Sequence, residues 1–82
     1  MDIRIDIETR GTVDIVHVSG RLNVFSIKQL TDVCEPMEAD FELDLSNLVF
    51  ADSTAVEVIQ SLREKGAGVS GASSFIKFLI DG

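Results

Sequence analysis

Two stretches of this sequence alternate strictly between apolar and charged residues, and that alternation restricts the fold more than any other feature. From residue 3 to residue 8, Ile3, Ile5 and Ile7 point one way and Arg4, Asp6 and Glu8 the other. From residue 41 to residue 45, Phe41, Leu43 and Leu45 oppose Glu42 and Asp44. A period of two marks a strand with one buried and one wet face. A parallel sheet covered on both faces would show continuous apolar strands instead. The expected architecture is therefore an α/β fold: a mixed sheet with its helices mainly on one face.

The remaining elements complete a ββαβαβα order. Residues 13 to 18 form a second strand rich in β-branched residues, with Gly20 as its end. Ile15 and Val16 are adjacent there, so both faces of that strand are expected to be partly covered. Residues 26 to 35 read as a helix. Ser26 and Gln29 have the spacing of a capping box, and Phe25 and Leu30 that of a hydrophobic staple. Ile27, Leu30, Cys34 and Met37 make its apolar stripe, and Pro36 ends it. A second helix lies within residues 52 to 65. Thr54 and Glu57 are spaced as a capping box, and Ala55, Val58, Ile59 and Leu62 form the buried stripe. Residues 67 to 72 form a thin strand, and Ser73 or Ser74 caps a last helix over residues 75 to 80. Phe75, Ile76, Phe78, Leu79 and Ile80 are too many large apolar groups for one helix face. That end is expected to pack under the sheet or to form a homodimer contact.

Size and charge narrow the possible roles. With 82 residues, the chain is expected to form a single domain, 1–82. Seven basic against fourteen acidic residues give a net charge of −7, which argues against nucleic acid and against an anionic membrane surface. The N-terminal Met-Asp-Ile-Arg-Ile-Asp-Ile-Glu run has no basic leader and no apolar core of a signal peptide. No apolar run approaches the roughly 20 residues that span a bilayer. One cysteine excludes an internal disulfide framework and a cysteine-rich zinc site, and a free thiol fits a reducing compartment. A cytoplasmic domain without metal or cofactor is expected.

Catalytic readings fail on inventory. The single histidine, His17, lies mid-strand among valines and is expected to be structural. Cys34, on an apolar stripe, behaves as a small hydrophobe. Asp44 and Asp52 could be imagined as an acid/base pair, but Asp44 is on the wet side of a strand and nothing indicates a cleft. Gly66, Gly68 and Gly71 are spaced too loosely to cradle a phosphate. No catalytic residue is assigned, and the chain is not expected to be an enzyme.

One segment stands apart: Leu43-Asp44-Leu45-Ser46-Asn47-Leu48-Val49-Phe50-Ala51-Asp52-Ser53-Thr54-Ala55. It reads as a strand, a short apolar loop, and three polar residues at a helix start. Those three residues are favoured capping types, and a cap is all that local physics requires. They also place Ser53 at the positive end of a helix dipole, where a phosphate has ready donors.

This segment resembles the signature of STAS domains, a family that includes the bacterial anti-sigma factor antagonists. Their pattern is an apolar strand ending in Asp-Leu-Ser, an apolar loop, then Asp-Ser-Ser/Thr-Gly and a helix. Val18-Ser19-Gly20-Arg21-Leu22-Asn23 resembles their second-strand motif, and Gly71-Ala72-Ser73-Ser74 their junction into a third helix. The resemblance implies a partner-switching module, controlled by serine phosphorylation. An anti-sigma factor that is also a serine kinase would phosphorylate Ser53, with Thr54 as fallback, and a phosphatase would reset it. The unphosphorylated form would bind the kinase and free the sigma factor. Asn23, Asp52, Ser53, Thr54, Ala55 and Glu57 are the partner-binding positions so implied. Ala55 replaces the family's Gly, Glu57 a residue that is often small, and Asn23 a loop Asp; Ala55 and Glu57 are expected to narrow the approach of a partner. The alternative within the family is a docking subunit of another assembly, such as a bacterial lipid-transporting ABC system.

Overall fold

The computed structural model describes residues 3–37 and 41–81. Its elements are β1 (Ile3–Arg10), β2 (Val13–Leu22), α1 (Ile27–Cys34), β3 (Phe41–Ala51), α2 (Ser53–Glu64), β4 (Gly68–Ser70) and α3 (Ser74–Asp81). The four strands lie in the order β1-β2-β3-β4. β1 is antiparallel to β2, and β3 runs parallel to both β2 and β4. This is the expected mixed sheet, with α1 and α2 as the crossover helices of two β-α-β units.

The alternation decides which side is wet. Ile5 pairs with Val18, and Val16 with Leu43, which in turn pairs with Val69. These residues share a face and join one core with Leu30 and Cys34 of α1, Ala55, Ile59 and Leu62 of α2, and Ile76 and Ile80 of α3. The opposite parity places Arg4, Asp6, Glu8, Arg10, His17, Glu42 and Asp44 on the uncovered face. Ile15 and Val16 are both buried, but only Val16 faces the core; Ile15 lies on the uncovered face between its cross-strand partners Glu8 and Glu42. α3 turns Ile76 and Ile80 into the core and leaves Phe75 and Phe78 outside. Ser73 is its cap, accepting from Ile76 N. Gln60 Nε2 donates to Ile80 O at 2.7 Å, and Arg63 pairs with Asp81 at 2.7 Å, so the end of α3 is held against α2. No helix among the described residues is long and apolar enough to cross a membrane.

Strands β2 and β3 are longer than the sequence pattern indicates. Gly20 does not end β2. With φ +94° it is absorbed within the strand, where the pairing with β3 shifts register, and β2 continues to Leu22. A second shift falls between His17 and Ser19, opposite Asp44 and Asn47. An extra residue on one strand changes the phase of its side chains. The strict alternation of β3 therefore stops at Leu45 although the strand runs on to Ala51.

The helix starts also differ from the spacing rules. Ser26 makes no capping bond to its helix. Its Oγ accepts from Asn23 N at 3.0 Å, while Asn23 Oδ1 accepts from Phe25 N at 2.9 Å and Ser26 N at 3.2 Å. The turn is closed between Asn23 and Ser26; Gln29 joins only through its backbone N–H, which donates to Ser26 O at 3.0 Å, and its side chain makes no capping-box bond. The staple is absent: Phe25 is 91% exposed and Leu30 is 0% exposed. α2 is capped by Asp52, not by a Thr54–Glu57 box.

Gly71 lies between β4 and α3 at φ +74°, and a Cβ there would collide with Ser46 Oγ and stand 2.8 Å from Asp44 Oδ1. Gly71→Ala is expected to lower unfolding stability by about 1–3 kcal/mol, read as a reduced urea midpoint with an unchanged m-value.

Candidate functional site

The paired ends of β2 and β3 build the site. Leu22 lies opposite Ala51, and both are buried. After them the chain leaves the sheet in two directions, into the turn before α1 and into α2. Asp52 ties these together. Its Oδ1 accepts from Ala55 N at 2.9 Å, capping α2, and its Oδ2 accepts from Val24 N at 2.9 Å, holding the turn. Asp52 N donates to Leu22 O at 3.1 Å. One carboxylate thus fixes the head of α2 against the turn from β2.

Ser53 and Thr54 follow as the first two residues of α2, and both side chains are exposed. Neither hydroxyl has a hydrogen-bond partner among the described residues. Thr54 is free because Asp52 takes the capping role expected of it. Glu57 is exposed one turn further on. The first amides of α2 point outward at the positive end of its dipole, so a dianionic group on Ser53 would meet backbone donors.

Of the six partner-binding positions the sequence implies, five meet at this corner. Ser53, Thr54 and Glu57 are exposed, while Asp52 and Asn23 are partly buried and serve as its internal bracing. Ala55 is the exception. It is 0% exposed and packed in the core, so it presents no surface at this corner. At the third helical position the side chain turns under the helix onto the sheet.

The structure adds an apolar rim that sequence patterns miss. Val24, Phe25, Val49 and Phe50 are all exposed. Val24 and Phe25 sit on the turn bound by Asp52, while Val49 and Phe50 end β3. The Arg21 guanidinium lies over the Phe50 ring, 5.9 Å from its centroid. The only hint in the sequence was the run Leu48-Val49-Phe50-Ala51, which holds more apolar residues than a strand end needs. Exposed apolar groups flanking polar ones match the composition of a protein-docking surface.

Among the described residues, His17 is in contact with no hydroxyl or thiol. A nucleophile needs its base in contact. His17 contacts Glu8 and Asp44, and it is Asp44, not His17, that touches Ser46. His17 does not sit among valines as its sequence neighbours suggest; the strand pleat turns it to the uncovered face. Burial pushes the Cys34 thiol up to about 11, so it is not a reactive thiolate.

The family model described as STAS domain matches residues 4–76. No curated protein matches the sequence significantly. The fold is similar to the crystal structure of an anti-sigma factor antagonist from Mycobacterium paratuberculosis, with a TM-score of 0.77 and 23% identity over 96% of this chain and 78% of that one. It is also similar to the crystal structure of an antisigma-factor antagonist STAS domain from Rhodobacter sphaeroides, with a TM-score of 0.64 and 21% identity over 89% of this chain and 94% of that one. At these identities the two structures establish the fold.

Proposed function

This chain belongs to the STAS domain family, and we propose that within it the chain acts as an anti-sigma factor antagonist: a docking module that a partner kinase switches off by phosphorylating Ser53. The observation that carries this reading is the pair of exposed hydroxyls of Ser53 and Thr54, unbonded among the described residues, at the head of α2, next to a turn and a strand end that expose Val24, Phe25, Val49 and Phe50. Docking requires the rim, and modification requires a hydroxyl. Their coincidence makes binding and phosphorylation mutually exclusive on the same surface. The chain is then the substrate of the kinase and the ligand of the anti-sigma factor, not a catalyst. A phosphatase resets it. The two solved structures named above carry the description of anti-sigma factor antagonist.

The test is incubation with the cognate kinase and ATP, followed by mass mapping. A single phosphate at Ser53 is expected, with Thr54 as the fallback acceptor because its hydroxyl is also free. A chain that stays unmodified at both residues and still binds its partner through this face would instead be a docking subunit, as in a lipid-transporting ABC assembly.

A homodimer contact, expected from the apolar last helix, would fall to Phe75 and Phe78, the two rings that α3 leaves outside. The expected result is a mass that rises with concentration in sedimentation equilibrium and returns to the monomer value in Phe78→Ser. A wild-type mass independent of concentration removes the dimer.

A further inference from the structure

The uncovered face of the sheet holds a cluster that the docking corner does not use. His17, in β2, lies between two carboxylates from the strands on either side. Its Nε2 is 2.9 Å from Glu8 Oε1 of β1, and its Nδ1 is 2.7 Å from Asp44 Oδ2 of β3. An ionised carboxylate only accepts hydrogen bonds, so each contact needs an N–H on the ring. A neutral imidazole has one N–H, and the imidazolium has two. Only the cation satisfies both contacts together. We propose that His17 is a pH-operated clasp, which as a cation ties edge strand β1 to interior strand β3 across β2 and releases β1 when the ring loses its second proton.

The surroundings favour the charged ring. From β1, Arg4, Asp6, Glu8 and Arg10 share this face, and Asp6 pairs directly with His17. β3 contributes Glu42 and Asp44. β4 adds only Gly68 and Ser70, and the helices pack on the other side of the sheet. Four carboxylates thus surround the ring with two guanidiniums among them. Arg4 is paired with Asp6 and Arg10 with Glu8. The bonds to Glu8 and Asp44 raise the imidazole above its ordinary 6.5. Hydrogen bonds from Ser46 and His17 hold Asp44 low, and bonds from Arg10 and His17 do the same for Glu8.

The two contacts are not equally able to let go. Asp44 is anchored by Ser46 N at 3.0 Å and by the Ser46 hydroxyl, and its side chain is the less exposed, 23% against 43% for Glu8. Glu8 already has Arg10 as a second partner. A neutral ring therefore keeps its single proton on Nδ1, toward Asp44, and gives up Glu8. β1 then loses its side-chain tie to the interior of the sheet. It is one of the two edge strands, and its Ile3 and Ile5 are only partly buried.

The sign follows from linkage. A group whose folded pKa lies above its unfolded value adds stability below the unfolded value, near 6.5 for an imidazole, and loses it as the pH rises through the folded value. Because His17 is the single histidine, its ring proton resonance reports the clasp without assignment ambiguity. In an NMR titration of the intact chain the His17 midpoint is expected above 6.5, and Glu8→Gln and Asp44→Asn are each expected to lower it. Backbone amides of β1 near Glu8 are expected to shift with the same midpoint. The urea midpoint of the wild type is expected to fall from about pH 6 to about pH 8.5, with a flatter profile in His17→Gln. Each unit by which the midpoint exceeds the unfolded value is a tenfold loss in the folding constant across that window. A wild-type midpoint at or below 6.5, or β1 amides that ignore the titration, overturns the clasp even if the variants fail to fold.

Discussion

Ser53→Asp is expected to fold normally and to lose affinity for the proposed anti-sigma partner by about 150- to 5,000-fold, while Ser53→Ala binds constitutively. The magnitude comes from leaving a charge uncompensated in a desolvated contact, about 3–5 kcal/mol. Ser53 is the first residue of α2, where a negative group favours the dipole by about 0.3–1 kcal/mol, so stability does not suffer. A phosphate acts in the same way but more strongly, adding about −1.5 to −2 charges. It lands beside Asp52 and within a turn of Glu57, on a chain already at −7. A partner closing over Val24, Phe25, Val49 and Phe50 would have to strip water from that cluster. On the proposed reading, binding is turned off without a change of shape. Calorimetric titration of the three forms against the anti-sigma factor reads the effect. Wild-type affinity for Ser53→Asp would show that the serine does not control docking.

Asp52→Ala is expected to lower stability by about 2–3 kcal/mol. The substitution removes the cap on Ala55 N and the bond from Val24 N at once. Both are bonds to a carboxylate, which are stronger than neutral ones. Faster amide exchange is expected at Val24 and Ala55, with the core of β2 and β3 still protected. Asp52→Asn is the informative comparison. Its single carbonyl oxygen can cap α2, but the amide nitrogen cannot accept from Val24, so about half the loss is expected to return. Equal losses in Ala and Asn variants would mean that the bond to Val24 contributes the larger share. Loosening the turn is also expected to weaken docking, because Phe25 is presented on it.

The sheet was legible in the sequence because a strand writes its environment locally. Alternating Ile with Arg, Asp and Glu over residues 3 to 8 requires a wet face, whatever packs on the other. The same holds for Phe41 to Leu45. The Asp-Ser-Thr motif was legible as a helix start because these residue types satisfy free backbone donors. Which of them does so was not legible. Asp52 and Thr54 are both competent caps, as are Asn23 and Ser26 before α1. The choice is made by where the β2–β3 pair stops, at Leu22 opposite Ala51. That pairing joins residues far apart in the chain.

The same reason separates the two halves of this protein's character. The chain itself determined its element order, its single wet sheet face and its polar helix start at Asp52-Ser53-Thr54, since each follows from neighbours within one strand or one turn; Ser53 as a candidate phosphoacceptor came from the resemblance of that segment to a family signature. Tertiary structure alone decided the rest. It buried Ala55 while exposing Phe25, because exposure depends on which other element lies above a side chain. It carried β3 past the end of its alternation, because a register shift changes phase without any mark in composition. It placed Glu8 and Asp44 on either side of His17, because strand pairing brings together carboxylates that lie 9 and 27 positions away along the chain.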